Sequence, residues 1–95
     1  MEASEVINTL QVIKPYLQEE YGVKSMGLFG SYADGTYTDQ SDVDILVEFE
    51  RPVGWRFFML EKFLETTLRR KIDLVTGSAL KEQMKPFILS QIHYI

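Results

Sequence analysis

The chain has 95 residues, no cysteine, 45% hydrophobic and 25% charged residues, and a formal net charge of −4. These values predict one domain over residues 1–95, and they exclude disulfide bonds, thiolate zinc sites and cysteine nucleophiles. The acidic balance argues against nonspecific nucleic-acid binding, and no apolar run approaches the roughly 18 residues of a membrane span. The start "MEASEV" has no signal-peptide pattern, so we expect a cytoplasmic protein without membrane association.

The first segment has the pattern of an amphipathic helix. Its apolar residues recur at steps of four and three, at Val6, Leu10, Ile13, Leu17 and Tyr21. Ser4 is the predicted N-cap and Gly22 the predicted C-terminal stop. Pro15 lies inside the pattern and predicts a kink or a split in the helix.

The middle of the chain has the pattern of two strands joined by a polar loop. "VKSMGLFG" (23–30) predicts a short buried strand, and "DVDILVEF" (42–49) predicts a second one. Between them, "SYADGTYTDQS" (31–41) is rich in Gly, Ser, Thr and Asp, and it predicts a loop that begins with a helical turn.

The last third predicts helix, strand and helix. Residues 56–71 form a second amphipathic pattern, "KIDLVTG" (71–77) predicts a third strand, and residues 78–95 predict a helix interrupted near Pro86. The resulting order is helix, strand, strand, helix, strand, helix. It indicates an α+β or α/β fold with a small sheet covered by helices.

Asp42 and Asp44 are two residues apart on the predicted second strand, so both carboxylates project from the same face. Two such carboxylates repel each other unless a positive charge lies between them, and Mg²⁺ is often held by one or two carboxylates plus substrate phosphates. Asp73, inside the apolar third strand, joins the pair if the two strands are neighbours. Taken alone, each aspartate also fits a turn residue or an edge-strand charge that blocks aggregation.

Gly30 and Ser31 follow the first predicted strand. Glycine lets the backbone approach a ligand closely, and a helical turn that begins at Ser31 presents free N–H groups to an anion. A Gly-Ser pair alone is most often a plain turn. Together with the aspartates, however, it supplies a phosphate-binding turn and a metal-binding cluster in one small sheet.

These residues resemble a known family. "GLFGSYADGTYTDQSDVDILVEF" followed by "KIDLV" is similar to the minimal nucleotidyltransferases of the DNA polymerase β-like superfamily. Their pattern is h-G-[GS], a gap, [DE]-h-[DE]-h, and a third acidic residue on a later strand. The resemblance covers nearly the whole chain, and it implies the α+β polymerase β-like fold with a small mixed sheet covered by helices.

The resemblance also implies roles for the matching residues. Gly30 and Ser31 would bind the phosphates of ATP, while Asp42 and Asp44 would coordinate two Mg²⁺ ions. Asp73 would complete the metal site and accept the proton of the acceptor hydroxyl. Many family members pair with a HEPN-domain protein, some as antitoxin and toxin, so the expected reaction moves AMP onto a tyrosine of a HEPN-type ribonuclease.

One residue departs from the family pattern. Many relatives have G-S-x-A-R-G where this chain has "GSYADG", so Asp34 stands in place of a common arginine. A carboxylate beside a triphosphate is unfavourable unless it points away or helps to hold a metal. Two alternatives therefore stay open: an inactive antitoxin that neutralises its partner by binding alone, and nucleotidyl transfer to a small molecule. A domain of this size also suggests a homo-oligomer or hetero-oligomer, in which a second chain completes the acceptor site.

Overall fold

The computed structural model describes residues 2–95, and its elements follow the predicted order with two additions near the C-terminus, a 3₁₀ turn and a fourth strand. They are α1 (Ala3–Tyr21), β1 (Val23–Phe29), α2 (Ser31–Asp34), β2 (Val43–Phe49), α3 (Arg56–Leu68), β3 (Ile72–Thr76), a 3₁₀ turn (Gly77–Ala79), α4 (Lys85–Gln91) and β4 (His93–Tyr94). The sheet order is β3-β2-β1-β4. Strand β1 is antiparallel to β2 and β4, while β2 is parallel to β3. This mixed sheet with its helices confirms the predicted α+β class.

The first helix forms because one stripe of its side chains is buried, which includes Leu10 and Leu17. Its N-cap is Glu2 rather than the predicted Ser4, because the Glu5 carboxylate reaches back and accepts the backbone N–H of Glu2 at 3.5 Å. The predicted stop is confirmed: Gly22 adopts a left-handed conformation (φ 69°), and its N–H donates to the Gln18 carbonyl at 3.1 Å.

Helix α1 continues through Pro15 as one element, so the predicted split is wrong. Proline removes one backbone hydrogen bond from the helix. The buried Leu10 and Leu17 lie on either side of Pro15 and belong to the same apolar core, so packing stabilises the helix on both sides of the proline.

The main core lies between one face of the sheet and the helices α1 and α3. Alternate residues of β2 point into it, namely Val43, Ile45 and Val47. The residues between them, Asp44 and Leu46, therefore lie on the second face of the sheet. No helix within residues 2–95 is long and apolar enough to cross a bilayer.

The C-terminal segment differs from the prediction. Pro86 lies in the first turn of α4 and starts that helix instead of interrupting it, since proline needs no hydrogen-bond partner there. The chain then pairs with β1 as β4, and the Ile95 N–H donates to the Met26 carbonyl at 3.0 Å. Lys14 donates to the Ile95 carbonyl at 2.8 Å, which joins the end of the chain to α1.

Candidate active site

Strand register brings the predicted site residues to one end of the sheet. The parallel pairing of β2 with β3 sets Asp44 opposite Asp73, and the antiparallel pairing with β1 sets Asp44 opposite Phe29. Gly30 follows Phe29 directly, and Asp42 lies one residue before β2. The C-terminal end of β1 and the starts of β2 and β3 thus place a glycine turn beside three carboxylates.

The turn at Gly30 requires glycine for two reasons. Its backbone has φ 71° and ψ −149°, a region that side chains with a Cβ atom avoid. A Cβ atom at this position would also overlap the Asp44 carboxylate. The close approach of the turn to Asp44 therefore depends on the missing side chain.

Ser31 is the first residue of α2, immediately after this turn, and it is partly exposed. The N–H groups of Ala33 and Asp34 donate to the Gly30 carbonyl at 3.0 and 3.1 Å, which fixes the turn as the start of a helix. Gly30 and Ser31 are thus held next to the carboxylates, at the position where the sequence predicted a phosphate-binding turn.

The Asp44 carboxylate is electrostatically strained. Its partial burial raises its pKa to about 6, and the neighbouring carboxylates of Asp73 and Asp42 contribute further. The parallel pairing of β2 with β3 places Asp73 directly beside Asp44. Within residues 2–95, no lysine or arginine forms an ion pair with this group. A carboxylate without a cationic partner, beside two others, is stabilised by a bound cation.

The donor set fits magnesium. Carboxylate oxygens are preferred ligands of this ion, and the strand register sets Asp44 beside Asp73. Among residues 2–95, no three side chains of the His, Cys, Asp and Glu types form a complete metal-binding group. Mg²⁺ needs only one or two carboxylates when substrate phosphates and water complete its shell. The arrangement thus suits a metal that binds together with a nucleotide.

The departure from the family pattern, Asp34, has a local partner. Its Oδ1 accepts hydrogen bonds from the Thr36 hydroxyl at 2.6 Å and from the Thr36 N–H at 3.0 Å, and these bonds lower its pKa. The side chain is exposed and forms an Asx-type turn with the residue two positions on. Its charge is thus held within its own loop.

The loop after α2 is attached to the N-terminus of α1. The rings of Tyr32 and Tyr37 are stacked, with centroids 4.4 Å apart. The Tyr37 hydroxyl donates to the Glu2 carboxylate at 2.9 Å and accepts the Ala3 N–H at 3.2 Å. This attachment fixes one side of the segment that joins Gly30 to Asp42.

A groove that the sequence did not predict lies on the second face of the sheet, farther along β2 and β3. It has a volume of about 720 Å³ and is bordered by the end of β2, the residues after β3 and helix α4. Its lining includes Leu46, Glu48, Val53, Ser78, Lys85 and Leu89. Non-local packing brings these residues together, and their types carry no catalytic signature, so no sequence motif reveals them.

The fold and the residues at the end of the sheet define a nucleotidyltransferase. The nucleotidyltransferase domain family matches residues 10–94, and the chain belongs to this family. The predicted family is therefore confirmed.

One curated relative, the protein adenylyltransferase MntA of Thermococcus cleftensis, is 40% identical over 92 residues, which cover 96% of this chain and 93% of that protein. Among solved structures, a minimal nucleotidyltransferase superposes with a TM-score of 0.83 at 24% identity and covers 98% of this chain and 95% of its own. A complex of a tri-AMPylated Shewanella oneidensis HEPN toxin with its MNT antitoxin matches with a TM-score of 0.64 at 21% identity, over 93% of this chain and 68% of that one. These structural matches confirm the predicted fold.

Proposed function

We propose that this nucleotidyltransferase moves AMP from ATP onto a hydroxyl of a partner protein, and that the partner is a HEPN-domain toxin modified on a tyrosine. The observation that carries the proposal is the convergence of Gly30 with Asp42, Asp44 and Asp73 at one end of the sheet. The relative named as a protein adenylyltransferase, which matches over nearly the full length of both chains, supports a protein as the acceptor. The HEPN toxin in the AMPylated complex supports the partner class.

Each site residue has a role that its position supports. Gly30 and Ser31 bind the phosphates through backbone N–H groups at the start of α2. Asp42 and Asp44 would hold two Mg²⁺ ions, and the bound metal would supply positive charge to stabilise the reacting phosphate. Asp73, opposite Asp44, would complete the metal site, and it accepts the proton of the acceptor hydroxyl.

The reaction is an in-line displacement at the α-phosphate. A bond forms between the acceptor oxygen and phosphorus, the bond to pyrophosphate breaks, and the hydroxyl proton passes to Asp73. Positioning and charge stabilisation supply most of the rate enhancement in such a transfer. For this reason a small sheet that presents three carboxylates next to a glycine turn suffices as a scaffold.

The test is calorimetric titration of ATP with and without Mg²⁺, followed by transfer of radiolabelled AMP to the HEPN-domain partner. We expect Mg²⁺-dependent ATP binding and labelling of one or more tyrosines. The double variant Asp42→Ala, Asp44→Ala should lose both, whereas the control Asp39→Ala, an exposed aspartate of the loop, should keep both. Transfer that survives the double substitution would refute the mechanism.

A second candidate function is neutralisation of the partner by contact alone. It is favoured by an exposed apolar surface at the start of α3, where Trp55 is 73% and Phe58 is 66% exposed. In this case the double alanine variant still protects cells from the partner. Under the enzymatic proposal, protection is lost together with the label on the partner.

A further inference from the structure

The groove lies on the same face of the sheet as Asp44, farther along β2. Leu46 and Glu48 follow Asp44 at two-residue steps on β2, so their side chains lie on the same face. Residues two apart on a strand are separated by about 7 Å. A groove that begins at Leu46 is therefore about one side chain away from Asp44.

The stereochemistry of phosphoryl transfer assigns the two ends of the site to different reactants. The attacking and leaving oxygens lie on opposite sides of the α-phosphorus in an in-line displacement. Gly30 ends β1, so a pyrophosphate held there occupies the β1 side of Asp44. The acceptor hydroxyl must then arrive from the β3 side, where Asp73 lies.

The groove lies on this acceptor side. It is bordered by β2, the 3₁₀ turn after β3 and helix α4, and no β1 residue of the described chain lines it. A ligand in it therefore reaches Asp73 without passing the proposed phosphate-binding turn.

The lining of the groove fits a polypeptide. Apolar side chains, Leu46, Val53 and Leu89, stand next to side chains of both charges, Glu48 and Lys85. The charged residues of the lining are balanced, with Glu48 and Glu50 against Arg51 and Lys85. Lys85 is also paired with Glu82 at 3.0 Å, so the groove has no surplus of cations for a phosphate chain. Its volume is within the range of pockets that hold small ligands, so it suits a short segment of chain and not a folded domain.

We propose that this groove binds the segment of the acceptor polypeptide that carries the modified hydroxyl, and so determines which hydroxyl receives AMP. The inference rests on the proposed function, because it assigns the acceptor half of the same site. The hydroxyl side chain extends from the groove along the face of the sheet towards Asp73, while the neighbouring residues of the segment contact Leu46 and Leu89.

The test compares two substitutions on α4. Leu89 lines the groove and is 48% exposed, whereas Phe87, two residues earlier, is 62% exposed and does not line it. Leu89→Glu and Phe87→Glu thus introduce the same charge on the same helix, without opening the core. The measurements are the Kd of ATP with Mg²⁺, and kcat/KM for AMP transfer to the HEPN-domain partner and to synthetic peptides from it that each contain one tyrosine.

We expect Leu89→Glu to lower kcat/KM for the acceptor at least about tenfold, with the Kd of ATP unchanged within about twofold. Phe87→Glu should change neither. Ser78→Trp, which fills the groove from an exposed position in the 3₁₀ turn, should act like Leu89→Glu, and Ser78→Ala should not. This second pair keeps the test valid if Leu89→Glu fails to fold.

Three results would overturn the inference. Equal effects of Leu89→Glu and Phe87→Glu on transfer would show that the groove does not bind the acceptor. A weaker ATP affinity in the groove variants would assign the groove to the nucleoside instead. A wild-type protein that binds ATP but labels no partner would refute the proposed function itself, and the acceptor groove with it.

Discussion

The Asp44 carboxylate lies in the space that a side chain at Gly30 would need. The turn after β1 and the start of β2 are therefore packed against each other without a Cβ atom between them. This contact sets the distance between the proposed phosphate-binding turn and the carboxylates. It also gives Gly30 a role in positioning Asp44 that is separate from any contact with a nucleotide.

Replacing Gly30 by alanine should damage both stability and nucleotide binding. The new Cβ atom must displace the Asp44 carboxylate, and the backbone there (φ 71°, ψ −149°) is strained for alanine. We expect the free energy of unfolding to fall by about 2–4 kcal/mol and ATP affinity to fall at least about tenfold. Urea denaturation and calorimetry measure the two effects.

Substitutions at two other glycines distinguish backbone strain from the overlap with Asp44 as causes of the lost stability. Gly35 also has a positive φ (83°), but nothing lies within 4 Å of a Cβ atom there, so Gly35→Ala should cost only about 1 kcal/mol of backbone strain. Gly77 has neither a positive φ nor a close neighbour, and Gly77→Ala should be neutral. A Gly30→Ala variant no less stable than Gly35→Ala would show that the contact with Asp44 does not constrain the site.

The raised pKa of Asp44 predicts that its ionised carboxylate lowers the stability of the folded protein. Its pKa is about 6 in the folded protein against an ordinary value of 3.8, so the folded state favours the protonated form. Stability is thus lost as the pH rises from about 4 to above 6. A shift of this size corresponds to about 3 kcal/mol, which solvent screening of a half-exposed carboxylate reduces to about 1–2 kcal/mol.

Asp44→Asn should therefore be more stable than the wild type at pH 8, by about 1–2 kcal/mol. The difference should disappear below pH 4, where the wild-type carboxyl is protonated in both states. Urea unfolding across this pH range measures it without ligand, with Asp39→Asn as the control at an exposed aspartate. A variant that is less stable at pH 8 would mean that Asp44 already has a favourable partner.

The sequence predicted the positions of the candidate site residues better than it predicted the C-terminal elements. The alternation along β2 predicted that the Asp44 side chain points to the face opposite that of Val43 and Ile45. The family pattern predicted that Gly30 and Asp73 lie near it. These features depend on local periodicity. Strand β4 has only two residues and forms through pairing with the distant Gly27 and Leu28, so no local pattern predicts it. The groove was missed for the same reason, since its lining comes from segments brought together by the fold.

Asp34 should oppose ATP binding only weakly. Its Oδ1 accepts two hydrogen bonds from Thr36 and faces solvent, where salt screens its charge. We expect Asp34→Ala to change the Kd of ATP by less than about threefold at physiological ionic strength. Asp34→Arg, which restores the residue common in the family, should tighten ATP binding more at low salt than at high salt. A gain of about a hundredfold or more in Asp34→Ala would show that this carboxylate faces the triphosphate.

Asp73 should be needed more for transfer than for nucleotide binding. Its carboxylate lies opposite Asp44 on β3, on the side from which we expect the acceptor hydroxyl to arrive, while Gly30 and Ser31 are on the other side. Asp73→Asn keeps the shape, removes the proton acceptor and lessens the repulsion on Asp44. We therefore expect the rate of AMP transfer to fall by about 10²–10⁴-fold, with a much smaller change in ATP affinity. Single-turnover labelling of the partner measures the rate of transfer, and calorimetry measures the affinity for ATP.

The variant Asp73→Glu keeps a carboxylate and should recover part of the rate. Equal loss of binding and transfer in Asp73→Asn would instead make Asp73 a residue of the nucleotide site.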